Sequence, residues 1–227
     1  MQQALPKKME DTFRHKGLRK KLVEFLKQEK GITDNQVLAA IGSVPRHYFL
    51  DSGFLEKAYQ DIALQIGEGQ TISRPHTVAT QTSLLSLKKG EKVLEVGTGC
   101  GYQTAVLVEM GVKVFTIEVI KALFDRTSHL LPKLGYKPKF FYGDGYKGLP
   151  AFAPFDKIIV TAGAPFVPKD LTEQLKPGGI LVIPVGAADV FTMHCIVKQA
   201  DGSIETTLHG EFKFVPLVEK NDWGKGK

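Results

Sequence analysis

The stretch VLEVGTGCGY, residues 93–102, decides the fold of this chain. Its first four residues are mostly apolar, as in a buried strand, and three glycines at alternate positions follow. Residues 103–110 behind them have a helical pattern. Glycine has no side chain, so a strand–turn–helix of this kind lets a ligand lie directly against the backbone. The sequence therefore predicts a nucleotide-cofactor loop on an α/β sheet.

An acidic residue at the strand end narrows the choice of cofactor. Glu95 precedes the first glycine by two residues. A carboxylate there would repel a pyrophosphate, but it suits a cofactor that carries a positive ammonium and a sulfonium. The spacing is G-x-G-x-G and not the G-x-G-x-x-G of the dinucleotide fingerprint. We interpret the loop as a site for S-adenosylmethionine, contacted by Gly97, Thr98, Gly99 and Gly101.

Two more acids follow predicted strands. Glu118 comes directly after the strand at 112–117, where a carboxylate can accept both ribose hydroxyls. Asp144 follows the strand at 139–142 and can accept the exocyclic amine of adenine, while Gly145 lets the base approach. Taken singly, Glu118 is also a good helix-start residue and Asp144-Gly145 is a common turn. Three acids that close successive strands favour the cofactor site.

Four segments carry a family resemblance: GQTISRPH (69–76), EVGTGCGYQTAVL (95–107), IVTAGAP (159–165) and FVPL (214–217). They resemble the protein-L-isoaspartate O-methyltransferase family, from about Arg19 to Val218. The glycine loop marks only the broad methyltransferase class, whereas GQTIS-x-P and FVPL are specific to the isoaspartyl enzymes. Two positions depart from the family pattern. Val119 follows Glu118 where Arg is expected, and Lys213 precedes FVPL where bacterial relatives usually carry Arg, which weakens a bidentate contact to a carboxylate.

The resemblance implies an activity and a set of site residues. The enzyme would methylate the free α-carboxylate of L-isoaspartyl residues in damaged proteins and peptides, giving S-adenosylhomocysteine and a methyl ester that collapses to a succinimide. Ser73 would donate a hydrogen bond to that carboxylate. Thr161 and Ala162 would lie beside the cofactor. The resemblance also implies substrate contacts from residues Thr71, Ile72, Ser73, Phe214, Val215, Pro216 and Leu217.

Other interpretations of these segments are open at this point. Ser73 precedes Pro75 and a predicted helix, so it also fits a helix cap. The FVPL segment also fits an edge strand in which Pro216 blocks further pairing. A methyltransferase acting on RNA or a small molecule would keep the glycine loop, Glu118 and Asp144, but it has no reason to carry GQTIS and FVPL. A non-catalytic nucleotide-binding protein would keep the fold and bind the cofactor without turnover.

The pattern of elements predicts the fold class. Strands and helices alternate from residue 92 to 185, which favours a doubly wound, mostly parallel, Rossmann-like sheet of the S-adenosylmethionine-dependent methyltransferase class. A hairpin around Asp201-Gly202 adds antiparallel strands at 191–198 and 203–209. Helices are expected at 34–41, after an earlier amphipathic one, and at 78–87. We expect one domain over residues 1–227, with an N-terminal helical portion (1–66), an α/β core (67–218) and a flexible tail (219–227).

Composition limits the remaining function classes. The net charge is +6, and residues 1–30 hold nine Lys or Arg against four acids. Leu18, Leu22 and Leu26 recur there at helical spacing, so the run predicts a basic solvated helix face, with RNA contact as the minority interpretation. Two cysteines, Cys100 and Cys195, predict neither a disulfide framework nor a metal site. We expect a cytoplasmic monomer that binds no nucleic acid, membrane or metal.

Overall fold

The computed structural model describes residues 10–187 and 190–219. That part of the chain contains six α-helices and nine β-strands. The helices are α1 (Phe13–Gln28), α2 (Asn35–Ser43), α3 (Pro75–Leu84), α4 (Tyr102–Glu109), α5 (Lys121–Lys133) and α6 (Lys169–Glu173). The strands are β1 (Leu64–Gly67), β2 (Gln70–Ile72), β3 (Lys92–Val96), β4 (Lys113–Glu118), β5 (Lys139–Tyr142), β6 (Phe155–Val160), β7 (Leu175–Ala187), β8 (Val190–Lys198) and β9 (Ile204–Phe212).

Seven strands form one sheet in the order β5-β4-β3-β6-β7-β8-β9. The first five are parallel neighbours, and β8 and β9 add to β7 in antiparallel pairing. The strand order reverses at β3, which has β4 on one side and β6 on the other. Ligands of open α/β sheets bind outside the carboxyl ends of the strands at such a reversal. The predicted doubly wound sheet with a C-terminal antiparallel hairpin is confirmed.

Helices α1 and α2 pack against each other and against α3. Asp34 caps α2, because its Oδ1 accepts the N–H groups of Gln36 and Val37. The basic face of α1 is smaller than predicted, since Arg19 is only 8% exposed. Its guanidinium donates to both carboxylate oxygens of Asp11 and to the carbonyl of Gly42. Arg19 therefore joins α1 to α2 and is not part of a solvated surface.

The prediction for α3 was wrong at both ends. The helix begins at Pro75 and ends at Leu84, three residues earlier than expected. It begins early because Asp61, distant in sequence, accepts the N–H of His76 at 2.8 Å and so supplies a cap that no local pattern indicates. It ends early because Ser86 takes a left-handed backbone conformation with φ 50°. The shift places Ser73 close before the first turn of the helix.

The predicted boundary between the helical portion and the core falls inside β1. This strand pairs with β2, and one cluster of buried residues includes both Leu22 of α1 and Leu131 of α5. The division into portions stays a prediction. Residues 220–227 of the predicted tail lie outside the described residues. Across residues 10–187 and 190–219, no helix combines the length and the apolar character needed to cross a membrane.

Candidate active site

One cavity lies at the carboxyl ends of β3, β4 and β6. It encloses about 760 Å³ of empty space, part of which is open to solvent. Most of the predicted site residues line this one cavity, namely Thr71, Ile72, Ser73, Gly97, Thr98, Gly99, Glu118, Gly145, Thr161, Ala162, Val215, Pro216 and Leu217. The segments predicted to hold cofactor and substrate therefore meet in one place. Four predicted residues do not line the cavity, and the structure explains the position of each: Glu95, Gly101, Asp144 and Phe214.

The glycine loop forms the floor of the cavity. Gly97 has φ +94°, and a Cβ at this position would lie 2.5 Å from Thr161 Oγ1. The Thr161 hydroxyl donates to the carbonyl of Gly97 at 2.6 Å, which fixes the loop against the end of β6. Gly101 was predicted to contact the cofactor, but it faces the protein interior. A Cβ there would meet the side chains of Thr127 and Leu131 in α5, so Gly101 permits helix packing.

Glu118 sits in the cavity wall at the end of β4. Its Oε2 accepts the N–H of Gly99 at 2.8 Å, and its Oε1 accepts the N–H groups of Val119 and Ile120 at 2.9 Å. Burial raises the pKa of this carboxyl, while the three N–H donors oppose the shift. These bonds hold the carboxylate in one orientation at the cavity surface. Val119, which replaces the expected Arg, also lines the cavity.

Glu95 was predicted to contact the cofactor, and this contact stays a prediction, because Glu95 lies behind the cavity surface. It is fully buried and does not line the cavity, because alternate residues of β3 point to opposite faces and Glu95 points toward α4. The Thr104 hydroxyl donates to its Oε2 at 2.5 Å, and Oε1 has no partner among the described residues. Burial raises the pKa of Glu95 to about 8. The carboxyl is therefore mostly protonated at neutral pH.

Asp144 also stays behind the cavity wall. Its Oδ1 accepts the N–H of Tyr146 at 3.0 Å and caps the short 3₁₀ segment Gly145–Lys147. The next residue, Gly145, does line the cavity. A Cβ on Gly145 would lie 2.5 Å from Val96 Cγ1, so only glycine fits between β3 and the C-terminal segment. The turn that was one interpretation of Asp144-Gly145 is present, and a cofactor contact from Asp144 stays a prediction.

The segment that carries Ser73 is held from two sides. The buried Arg46 donates through Nη2 to the Ser73 carbonyl at 2.8 Å. On the other side, Asp61 accepts from the Arg74 guanidinium and from the N–H of His76. The cap position of α3 is Arg74, and Asp61 provides the capping oxygen. The interpretation of Ser73 as the helix cap is therefore wrong.

The C-terminal segment closes the cavity opposite Ser73. Gly163 donates to the carbonyl of Val215 at 2.8 Å, and Leu217 donates to the carbonyl of Gly163 at 2.7 Å. Pro216 lies between these bonds in a parallel bridge with Gly163. Phe214 was predicted to contact substrate, but it turns away from the cavity. Its ring packs edge-on against Phe191 of β8 at 6.3 Å, so it anchors the segment to the sheet.

Several wall residues escaped the sequence analysis. Tyr102 and Gln103, the first residues of α4, line the cavity, as do apolar residues from β4 and the loop after it. Their places follow from the loop motif, because residues next to a ligand loop share its surface. Arg46 and Asp61 gave no signal, since neither lies in a recognisable motif. Both hold the segment that carries Ser73 by hydrogen bonds that form only when the chain has folded.

A separate cluster of possible metal ligands lies near the N-terminus. Asp11, His15 and His47 place one ligand atom each within 4.8 Å of the others. Both oxygens of Asp11 already accept from Arg19. His15 Nδ1 lies 3.0 Å from the carbonyl oxygen of Glu10, and His47 Nδ1 lies 2.7 Å from the Tyr59 hydroxyl, so both rings already have a polar partner. The cluster does not line the cavity.

Comparison with known proteins extends these observations. Residues 17–222 match the sequence profile of the family described as protein-L-isoaspartate (D-aspartate) O-methyltransferase. A protein-L-isoaspartate O-methyltransferase of Cytophaga hutchinsonii is 58% identical over 95% of this chain and 97% of its own length. One from Christiangramia forsetii is 58% identical over 93% of this chain and 99% of its own.

Solved structures agree with the fold and the family. A protein-L-isoaspartate O-methyltransferase structure superposes with a TM-score of 0.80 and 31% identity, covering 89% of this chain and 66% of that one. A Plasmodium falciparum chain, described as a beta-aspartate methyltransferase and solved with S-adenosyl-L-homocysteine, has a TM-score of 0.76 and 27% identity. The match covers 89% of this chain and 99% of that one. This chain belongs to the protein-L-isoaspartate (D-aspartate) O-methyltransferase family.

Proposed function

We propose that this chain transfers a methyl group from S-adenosylmethionine to the free α-carboxylate of isoaspartyl residues in damaged proteins and peptides. One observation carries the proposal. The glycine loop, which is typical of a cofactor site, and the Thr71–Ser73 segment, which is typical of the isoaspartyl enzymes, line the same cavity. The methyl ester product is then attacked by the following main-chain nitrogen, which expels methanol and closes a succinimide. Family membership does not favour the alternative of a methyltransferase for RNA or a small molecule.

The cavity fits the cofactor on structural grounds. Gly97 and Gly145 leave bare backbone where a Cβ would collide with neighbouring atoms. Glu118 presents a fixed, buried carboxylate, which is the acceptor that a pair of ribose hydroxyls requires. We assign Thr98, Gly99, Thr161 and Ala162 to the same binding surface. When bound, S-adenosylmethionine supplies an electrophilic methyl group on a positively charged sulfur.

The reaction requires the chain to orient the substrate carboxylate toward the methyl group, and it requires no general base. An α-carboxylate has an ordinary pKa of about 3.5, so it is already ionised at neutral pH. The chain must hold one carboxylate oxygen in line with the methyl carbon and exclude water, which are the roles of positioning and desolvation. The Ser73 hydroxyl is assigned to donate a hydrogen bond to the second carboxylate oxygen. Its backbone is fixed by Arg46, so the hydroxyl turns about a stationary carbon.

The C-terminal segment is assigned to hold the substrate backbone. Residues Val215–Leu217 present main-chain groups along the cavity, and their inner hydrogen bonds are taken by Gly163. Recognition through the main chain suits an enzyme that must accept isoaspartyl residues in many sequence contexts. Phe214 contributes by anchoring this segment and not by touching the substrate.

The thiol of Cys100, in the cavity wall, does not compete for the methyl group. Cys100 is buried in the glycine loop, and burial raises the pKa of its thiol. The nucleophilic species of cysteine is the thiolate. At neutral pH the sulfur is therefore protonated, and the substrate carboxylate is the anion that meets the methyl group.

The test is methyl transfer from labelled S-adenosylmethionine to two peptides that differ only in an isoaspartyl or a normal aspartyl linkage. We expect base-labile label on the isoaspartyl peptide alone. Binding of S-adenosylhomocysteine, measured by calorimetry, controls for an intact cofactor site. Cofactor binding without label on either peptide would refute the repair function. Equal label on both peptides would refute the specificity.

Cellular location and oligomeric state are predictions from the sequence. We expect a cytoplasmic monomer that needs no nucleic acid. Sedimentation equilibrium tests the oligomeric state and cell fractionation tests the location. A stable dimer in solution would contradict the first of these predictions.

A further inference from the structure

An arginine that the reaction scheme uses only to fix the Ser73 backbone lies one layer behind the cavity wall. Arg46 is completely buried, in the 3₁₀ segment Arg46–Phe49. Its Nη2 donates to the carbonyls of Ser73, at 2.8 Å, and of Ile62, at 3.4 Å. Arg46 thus touches the residue that is assigned to bind the substrate carboxylate.

The guanidinium also contacts the helix that follows the glycine loop. Its central carbon lies 4.6 Å from the ring centroid of Tyr102, a favourable cation–π distance. Tyr102 begins α4 directly after Gly101 and lines the cavity. Arg46 therefore connects the substrate segment with the cofactor loop.

No carboxylate of the described residues pairs with Arg46. None comes within 4.0 Å of its nitrogens, and Nε and Nη1 have no hydrogen-bond partner in that part of the chain. The carboxylate that influences it most, Asp61, is engaged by Arg74 and by the start of α3. Burial lowers the pKa of Arg46, yet an arginine stays protonated in proteins. A buried cation without a counter-charge is costly, so the presence of Arg46 at this place calls for a function.

We propose that the buried Arg46 guanidinium is the counter-charge for the substrate's α-carboxylate, acting across the Ser73 peptide group and the Tyr102 ring. It is a positioning residue, because it holds Ser73 and does not line the cavity. An anion placed beside Ser73 would meet the field of Arg46 in a poorly solvated place, where a charge interaction is strong. The inference rests on the proposed function and names the group that selects a charged substrate.

The inference predicts a loss of charge discrimination. The test uses two isoaspartyl peptides, one with the natural α-carboxylate and one in which that carboxylate is an α-carboxamide. Their Kd values are measured by calorimetry with S-adenosylhomocysteine present. In Arg46→Met we expect the carboxylate peptide to bind about tenfold more weakly while the carboxamide peptide changes less than about twofold. Arg46→Lys, which keeps the charge, should recover part of the discrimination.

Two controls separate this role from a merely structural one. Arg19→Met also removes a buried guanidinium, but one that contacts Asp11 and Gly42, so it should weaken folding without changing the ratio of the two Kd values. Affinity for S-adenosylhomocysteine should stay within about twofold in Arg19→Met, because Arg19 contacts neither the glycine loop nor Tyr102. An unchanged ratio in a folded Arg46→Met protein would overturn the inference.

A second measurement needs no variant and applies if Arg46→Met fails to fold. The α-carboxylate of the peptide is labelled with ¹³C, and its pKa is followed by NMR when bound to the wild-type protein. A buried counter-charge holds that pKa below its value in the free peptide, whereas desolvation alone raises it. A raised pKa would overturn the inference. If the wild-type protein binds neither peptide, the proposed function fails and not the role of Arg46 alone.

Discussion

Replacing Glu95 with glutamine should change how the stability of the protein depends on pH. Glu95 is fully buried beneath the glycine loop, and its pKa is raised from 4.5 to about 8. The folded state therefore keeps a proton that the unfolded chain releases above pH 4.5. For an acid with a raised pKa, stability is greatest at low pH and is lost as the pH rises toward the folded-state value.

The size of the effect follows from the two pKa values. Between pH 5 and pH 8, a carboxyl whose pKa rises from 4.5 to about 8 on folding costs the folded state roughly 3–4 kcal/mol. The glutamine side chain in Glu95→Gln does not titrate, and its amide oxygen can still accept from the Thr104 hydroxyl. The difference in stability between Glu95→Gln and wild type should therefore move by roughly 3–4 kcal/mol in favour of the variant over this range.

Urea unfolding of both proteins at several pH values measures this difference. Comparing the two proteins cancels the contributions of the histidines and of the other carboxyl groups, which are common to both. Stability curves that run parallel from pH 5 to pH 8 would refute the buried, protonated Glu95. A curve for wild type that falls toward low pH relative to the variant would mean that Glu95 is ionised in the fold.

Three further substitutions test the assigned site. Ser73→Ala should lower turnover of an isoaspartyl peptide ~10–100-fold, the worth of one hydrogen bond to a charged group, with unchanged affinity for S-adenosylhomocysteine. Steady-state kinetics check this, and Ser43→Ala at the end of α2 is the control; equal activity would remove Ser73 from the reaction. Asp144→Ala should weaken S-adenosylhomocysteine binding about tenfold in calorimetry, whereas unchanged affinity would contradict its adenine contact. Gly163→Ala should raise KM for peptides, because its Cβ would lie 2.3 Å from an aromatic ring of β8 and displace the C-terminal segment. Gly53→Ala, with open space around the glycine, is the control and should leave KM unchanged. If KM does not rise in Gly163→Ala, the C-terminal segment does not take part in substrate binding.

The sequence predicts which end of the sheet carries the site, but not which way each side chain points. Glu118 and Glu95 both lie near strand ends, yet the first lines the cavity and the second points to the helix behind it. A one-residue step along a strand reverses the face, and the loop motif does not encode which face is needed. The sequence therefore predicted that both carboxyl groups lie near the ends of strands, but it did not predict which of them lines the cavity.

Long-range partners explain most of the remaining differences. Asp61 caps α3 across fifteen positions of sequence, and Arg46 reaches Ser73 across twenty-seven. Such contacts exist only after the chain has folded, so no local sequence pattern indicates them. The family motifs found the Ser73 segment and the C-terminal segment. They did not show what holds these segments in place.

The state of the two cysteines has a consequence for the lifetime of the enzyme. Cys100 and Cys195 are both buried and free, and burial raises the pKa of each thiol. Peroxides attack the thiolate, so neither sulfur is an easy target for oxidation to sulfenic acid. The cavity wall therefore keeps its shape and polarity through an exposure to peroxide that would oxidise a thiolate at the same position.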